Sequence, residues 1–149
     1  MDKILKEKLK LEKKALVVWA ANCAEHVLPY FEKKYSRDNR PRKAIEIARA
    51  WTKRKIKLHQ IRKISLASHA AARKAKNLSS IAAARSAGQA VAACHAALHS
   101  LVAASYALKS VGIENRSKER KWQYKKLPKH LRTTMRPILE QIYKKFEVR

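Results

Sequence analysis

Two histidines stand four residues apart, at His95 and His99. On a helix this spacing places both imidazoles on one side, where they could reach the same metal ion. Cys94 and His69 are further residues of suitable type. Zinc usually takes three or four protein ligands, and no acidic residue accompanies these histidines to form an HExxH motif. We therefore expect hydrogen-bonded structural histidines, with no metal site and no cofactor.

Arg49 lies two residues before Trp51 on a predicted helix. An arginine on a helix flank can tie neighbouring helices together through charge-assisted hydrogen bonds or through stacking on an aromatic ring. We expect a structural role for these side chains. The predicted structural polar network consists of Arg49, Trp51, His69, His95 and His99.

Cys23, Glu25 and His26 are the grouping closest to a nucleophile and a base. On a helix Cys23 and His26 lie on different sides, and no third group that would orient a base is identifiable. The chain also has no phosphate-binding glycine loop and no GxSxG motif, and its carboxylates have no recognisable catalytic spacing. The sequence therefore predicts a protein that is not an enzyme and has no catalytic residues.

Lysine and arginine are concentrated in basic runs at residues 53–57, 116–129 and 144–145. Trp122 and Tyr124 stand within the second run, so cations could follow a phosphate backbone while the aromatic rings stack on bases. The alternative is a solvated helical surface with Trp122 inside. The cations predicted to contact a partner or phosphate are Lys53, Arg54, Lys55, Lys57, Arg120, Lys121, Lys125 and Lys126.

The overall composition indicates a protein that binds a macromolecule. The chain has 149 residues, of which 46% are apolar, and a formal net charge of +25. Such a charge repels copies of the chain and attracts polyanions or acidic proteins. Cys23 and Cys94 stand alone, which favours neither a disulfide framework nor a zinc ribbon, and the first 14 residues lack a secretory signal pattern. We expect a cytoplasmic location.

Helix-forming residues dominate, with only two glycines and four prolines. The pattern predicts helices from Leu16 onward, after the turn at 36–41, over 58–76 and 86–108, and on either side of a break at Leu127–Pro128. We predict an all-α single domain over 1–149, a bundle of about five or six helices around a central Ala-rich helix. Residues 1–14 are expected to form a charged N-terminal helical extension, and residues 114–149 basic C-terminal helices.

The predicted central helix covers residues 86–108, which contain no Asp, Glu, Lys or Arg. A run of this length is long enough to cross a bilayer. Alanine is only weakly hydrophobic, however, and Gln89, His95 and His99 would enter lipid with few partners. The run therefore favours a buried helix over a membrane span.

Several motifs together resemble the immunity proteins of bacterial toxin systems, specifically the Imm-five-like class. They are residues 19–29 (WAANCAEHVLP), 38–45 (DNRPRKAI), 49–51 (RAW), 68–73 (SHAAAR) and 93–99 (ACHAALH). The likeness covers most of the chain, from about residue 16 to 128. It implies a helical cytoplasmic protein that neutralises a toxin by binding it.

The expected partner is therefore a protein, and charge complementarity makes it an acidic one. The alternative is sequence-tolerant binding of DNA or RNA through the basic surface. No membrane partner is expected. The oligomeric state stays open, because the alanine-rich surfaces could pack within one chain or against a second copy.

Overall fold

The computed structural model describes residues 2–146 and residue 148, and these residues form helices and no strands. Eight helices have nine or more residues, and a ninth has four. The predicted all-α single domain is confirmed, whereas the estimate of five or six helices is too low. A 3-10 turn, Ile113–Asn115, precedes α8. The helices are α1 Lys3–Leu11, α2 Lys13–Val27, α3 Pro29–Glu32, α4 Arg40–Trp51, α5 Leu58–Lys74, α6 Leu78–Ala92, α7 His99–Ser110, α8 Arg116–Lys126 and α9 Lys129–Lys145.

Helix boundaries follow mainly from capping residues and prolines. Pro29 begins the short helix α3 after α2 has ended, and Pro41, at the end of the predicted turn 36–41, lies in the first turn of α4. The backbone N–H of Arg40 donates to Asp38 at the start of α4. The side chain of Asn77 accepts a hydrogen bond from the Ser80 N–H and caps α6.

The single central helix predicted over residues 86–108 is wrong. The chain leaves the helical conformation at residues 93–98, and α7 packs back along α6. The hydroxyl of Ser86 on α6 donates to the carbonyl of Ala103 on α7, which fixes the antiparallel register of the pair. Helix α6 also contacts α2, α3, α4 and α5. Small alanine side chains allow these helices to approach closely.

Helix α2 divides the core into two parts. Its residues Leu16, Trp19 and Cys23 pack with α7, α9 and the C-terminal segment. Its residues Val17 and Ala21 pack with α4, α5 and α6. All five side chains are buried, so α2 contributes to both parts of the core and leaves only a narrow stripe, which includes Val18 and Glu25, exposed to solvent.

The C-terminal helices attach to the bundle through Gln123, which is fully buried. Its backbone carbonyl accepts from Trp19 Nε1, and its side-chain amide donates to the carbonyl of Ala104. The hydroxyl of Tyr143 donates to its amide oxygen. One glutamine thus connects α8 to α2, α7 and α9.

No helix in the part of the chain that the structure describes combines the length and apolar character needed to cross a bilayer.

Candidate partner interface

The histidines singled out by the sequence lie in different environments. His69 on α5 accepts a hydrogen bond from Arg85 on α6, at 2.9 Å. His99 donates from Nδ1 to Gln89 Oε1, at 2.7 Å, which ties α7 to α6. His95 lies exposed in the connection between α6 and α7. His69 and His99 therefore each connect two helices, whereas His95 faces solvent.

Burial sets the ionisation of the two half-buried rings. It lowers the pKa of His69 to about 4, an effect strengthened by Arg85, Arg73 and His99. It also lowers the pKa of His99, with a further contribution from His95. Both rings are consequently neutral at pH 7, which suits their roles as hydrogen-bonding groups.

The four candidate metal ligands do not form a cluster. Cys94 is buried, and burial raises the pKa of its thiol to about 12. Within residues 2–146 and 148, no three His, Cys, Asp or Glu side chains are grouped so that they could hold a metal ion. The observed contacts of His69 and His99 are hydrogen bonds to Arg85 and Gln89.

Arg49 connects α4 to α2. Its guanidinium donates to both carboxylate oxygens of Glu25, at 2.9 Å each, and to the side-chain oxygen of Asn22 at 3.0 Å. Trp51 lies on the same helix, with the ammonium of Lys13 5.3 Å from its ring centroid. These contacts are separate from those of His69 and His99.

The α8 basic run does not present a free tryptophan face. His26 stacks on Trp122 with ring centroids 3.7 Å apart and an interplanar angle of 7°. The same histidine donates to the buried carboxylate of Glu119, and Lys126 lies 5.7 Å from the Trp122 ring. The predicted stacking of Trp122 on a base would require this arrangement to open. Lys121, Lys125 and Lys126 are exposed, and Arg120 is half-buried.

Acidic residues are distributed unevenly along the chain. There is no Asp or Glu from residue 47 to residue 113, so α5, α6 and α7 carry cations alone. Elsewhere, Asp38, Glu32 and Glu25 form internal ion pairs with arginines, and Glu119 and Glu12 each contact a histidine ring. The cations of α5 therefore have no carboxylate partner on α5, α6 or α7.

The clearest concentration of such cations is at the junction of α4 and α5. Ile47, Ile56 and Ile64 form an apolar floor that continues into the core beneath. Four exposed cations surround this floor, and none forms an ion pair with another described residue. The depression has a volume of about 540 Å³. We call it the basic groove; it is lined by Lys43, Ile47, Arg54, Lys55, Ile56, Gln60, Lys63 and Ile64.

The structure brings only part of the predicted contact set into this groove. Arg54 and Lys55 line it, whereas Lys53 and Lys57 are exposed in the same loop without lining it. Arg120, Lys121, Lys125 and Lys126 belong to α8, a different helix. Sequence reasoning missed Lys43 and Lys63; the acid-free stretch from residue 47 to 113 was a usable signal for Lys63 but does not include Lys43.

A second depression adjoins the basic groove along α5. It has a volume of about 500 Å³, shares Lys63 with the groove, and is lined by Leu58, His59, Arg62 and Leu66 as well. Leu58 and Leu66 are 50% and 59% exposed. Apolar and cationic side chains thus alternate over the solvent side of α5.

The wall of this depression leads into a smaller socket between α5 and the end of α6. We call it the leucine socket; it has a volume of about 160 Å³ and is lined by Leu58, Ile61, Arg62, Ser65, Leu66, Ala92, His95 and His99. Two polar groups that line the socket already donate hydrogen bonds. The Ser65 hydroxyl donates to the Gly88 carbonyl, and the His99 imidazole donates to Gln89. The interior of the socket is consequently apolar, with Arg62, His95 and His99 as its ionisable groups.

Comparison with known proteins adds a family to this description. Residues 7–130 match the family described as Imm-5 like putative immunity protein. No curated protein and no solved structure matches the chain. The family match spans most of the chain and confirms the resemblance drawn from the sequence motifs. The chain therefore belongs to the Imm-5 like putative immunity protein family.

Proposed function

We propose that this protein neutralises a bacterial toxin by binding it directly, in the cytoplasm and without catalysis. Membership of an immunity protein family implies a cognate toxin as partner. His69 and His99 form hydrogen bonds between helices, and Cys23 and Cys94 are buried, which is consistent with a binding role. The partner is an acidic protein, because the chain carries a net charge of +25.

The basic groove is the observation that carries this proposal. Lys43, Arg54, Lys55 and Lys63 surround an isoleucine floor and have no internal ion pair within the described part of the chain. Their charge is available to an incoming carboxylate and accelerates encounter with an acidic surface. The apolar floor supplies area that a protein side chain can bury.

Nucleic-acid binding is the competing function. A phosphate backbone would use the cations but leave the isoleucine floor uncovered, since sequence-tolerant binding depends mainly on phosphate contacts. Trp122 is stacked on His26 and does not offer that face for base stacking. The floor and the covered tryptophan favour a protein partner.

Co-expression with a candidate acidic toxin from a neighbouring gene tests the proposal. We expect growth to be rescued, and calorimetry with the purified pair to give one-to-one binding that weakens with salt. Titration with duplex DNA at low salt is the parallel measurement. Absence of both rescue and binding would overturn the proposal. DNA binding with a logarithmic salt slope of about −0.9 per neutralised phosphate, in the absence of toxin binding, would establish the alternative.

A further inference from the structure

We propose that the leucine socket receives one apolar side chain, of leucine or phenylalanine size, from an acidic segment of the partner. This inference rests on the proposed function and specifies the chemistry of its partner. The segment would lie across the solvent side of α5, with its carboxylates at Lys63 and in the basic groove.

The size of the socket matches a single side chain. Its volume is about 160 Å³. A cavity of about 150 Å³ lined by apolar side chains accommodates benzene. The socket is therefore large enough for one phenyl ring or one leucine and too small for a second. Single anchors of this kind, filling a central pocket, contribute a large share of the binding energy in protein interfaces.

The polarity of the socket selects an apolar occupant. Ser65 is buried and its hydroxyl donates to Gly88, at 2.9 Å, so it has no proton left to offer a ligand. His99 donates its Nδ1 proton to Gln89, so the neutral ring likewise has no proton left to offer a ligand. Ile61 and Ala92 line the interior, and Leu58 and Leu66 remain largely exposed at its edge. An apolar side chain would cover these leucines without breaking a hydrogen bond.

The surrounding charge selects an acidic segment. Arg62 lines both the socket and the adjoining depression, and Lys63 connects that depression to the basic groove. No acidic residue lines the socket, the adjoining depression or the basic groove. A further depression, lined by Lys6, Lys10 and Lys13 of the first two helices, meets the socket at His95.

The leucine socket, the basic groove and the two other depressions adjoin one another. Together they form a surface large enough for a protein–protein interface. Together they are lined by roughly two dozen residues, and a standard interface involves roughly 20–30 residues on each side. The socket lies between its two cationic ends. That placement corresponds to the usual anatomy of an interface, with an apolar anchor near the centre and charged groups toward the rim.

Two labelled peptides of the same length test this inference without requiring the toxin. Both contain glutamate and alanine, and one carries a central phenylalanine where the other has alanine. We expect fluorescence anisotropy to show that the phenylalanine peptide binds the full chain about 10-fold more tightly, since one anchor contributes upward of about 1.4 kcal/mol. A single-stranded DNA of equal charge is the third probe, and it shows how much binding negative charge alone produces.

Variants of the protein test whether the tighter binding of the phenylalanine peptide arises at the leucine socket. Leu66→Ala removes an exposed wall of the socket, and Ala92→Met places a larger side chain into it. We expect either variant to abolish the difference between the two peptides. Leu78→Ala is the matched control, because Leu78 is 82% exposed and lies outside the socket. It should preserve the full difference, and thermal unfolding of all three variants verifies their folding.

Equal binding of the two peptides by the unmodified chain would overturn the inference. So would failure of both peptides to bind at low salt, or a preference for phenylalanine that survives both Leu66→Ala and Ala92→Met. These results are distinct from failure of the proposed function, which is measured with the toxin itself. Toxin binding that is insensitive to Leu66→Ala would retain the proposed function and reject the socket as its anchor.

Discussion

The imidazole of His69 occupies the space that a side chain on Gly88 would need. A Cβ built on Gly88 would lie 2.8 Å from Nε2 of His69. This explains a glycine inside α6, where it lowers helix stability by about 1 kcal/mol relative to alanine. The opposite nitrogen of the ring accepts from Arg85. The glycine therefore allows α5 and α6 to approach closely around a hydrogen-bonded histidine.

Gly88→Ala should consequently have opposite effects on stability in the unmodified chain and in a His69→Ala variant. In the unmodified chain the new methyl group displaces the His69 ring, and we expect the free energy of unfolding to fall by about 1–2 kcal/mol. In a His69→Ala background the obstacle is gone, and the same change should stabilise by about 1 kcal/mol through helix propensity. Chemical denaturation of the four proteins measures both effects. The same sign in both backgrounds would contradict this explanation.

The pKa of His69 leads to a pH-dependent stability. Burial, with Arg85, Arg73 and His99, lowers this pKa to about 4, whereas a histidine in the unfolded chain titrates near 6.5. Between these values the unfolded state binds more protons, so stability is complete above pH 6.5 and falls as the pH drops toward about 4. Below that value the contribution of His69 no longer changes.

His69→Asn isolates this contribution. An asparagine oxygen can accept from Arg85 but does not titrate, so the variant should lose less stability than the unmodified chain between about pH 6.5 and pH 4.5. His99 retains its own lowered pKa in both proteins, and therefore some pH dependence persists in the variant. Melting temperatures measured across this range check the difference. Parallel curves would show that His69 is not the responsible group.

Local sequence signals predicted many of the helices well. Pro41 marks the first turn of α4, and Leu127–Pro128 separates α8 from α9 as predicted. The reversal at residues 93–98 was not predictable in this way, because the segment contains neither glycine nor proline. A helix uninterrupted from residue 78 to 110 would be about 50 Å long at 1.5 Å per residue. Folding back buries the alanines of α6 and α7 against each other instead.

The candidate interface was predictable only in part. The run at 53–57 identified Arg54 and Lys55, because charge density is visible in a short window of sequence. Lys43 joins them only because α4 packs beside α5, and the leucine socket requires the end of α6 to meet Leu58 and Leu66. These juxtapositions depend on helix packing. Periodicity within one helix does not specify them.

Gln123 provides a test of how the C-terminal helices are held. Gln123→Met keeps the side chain close in size but leaves the Tyr143 hydroxyl and the Ala104 carbonyl without their partner. Unsatisfied buried polar groups cost about 1–3 kcal/mol each, so for these two groups we expect a loss of about 2–6 kcal/mol in the free energy of unfolding. Tyr143→Phe removes one bond alone and should have a smaller effect. Urea denaturation compares the two, and equal losses would contradict this assignment.

Charge reversal distinguishes the basic groove from α8 as the surface that meets the toxin. We expect the pair Lys55→Glu and Lys63→Glu to slow association with the toxin about 10-fold or more at low salt, because steering by the groove is replaced by repulsion. The pair Lys121→Glu and Lys125→Glu makes the same change in net charge with exposed lysines of α8, and should slow association much less.

Stopped-flow association rates over a range of salt concentrations measure this difference. Since added salt screens exposed charges, the rates of the two variants and the unmodified chain should converge at high ionic strength. Equal slowing by both pairs would mean that net charge governs the encounter without a specific surface. Greater slowing by the α8 pair would move the interface to that helix, where the cations follow the basic run 116–129.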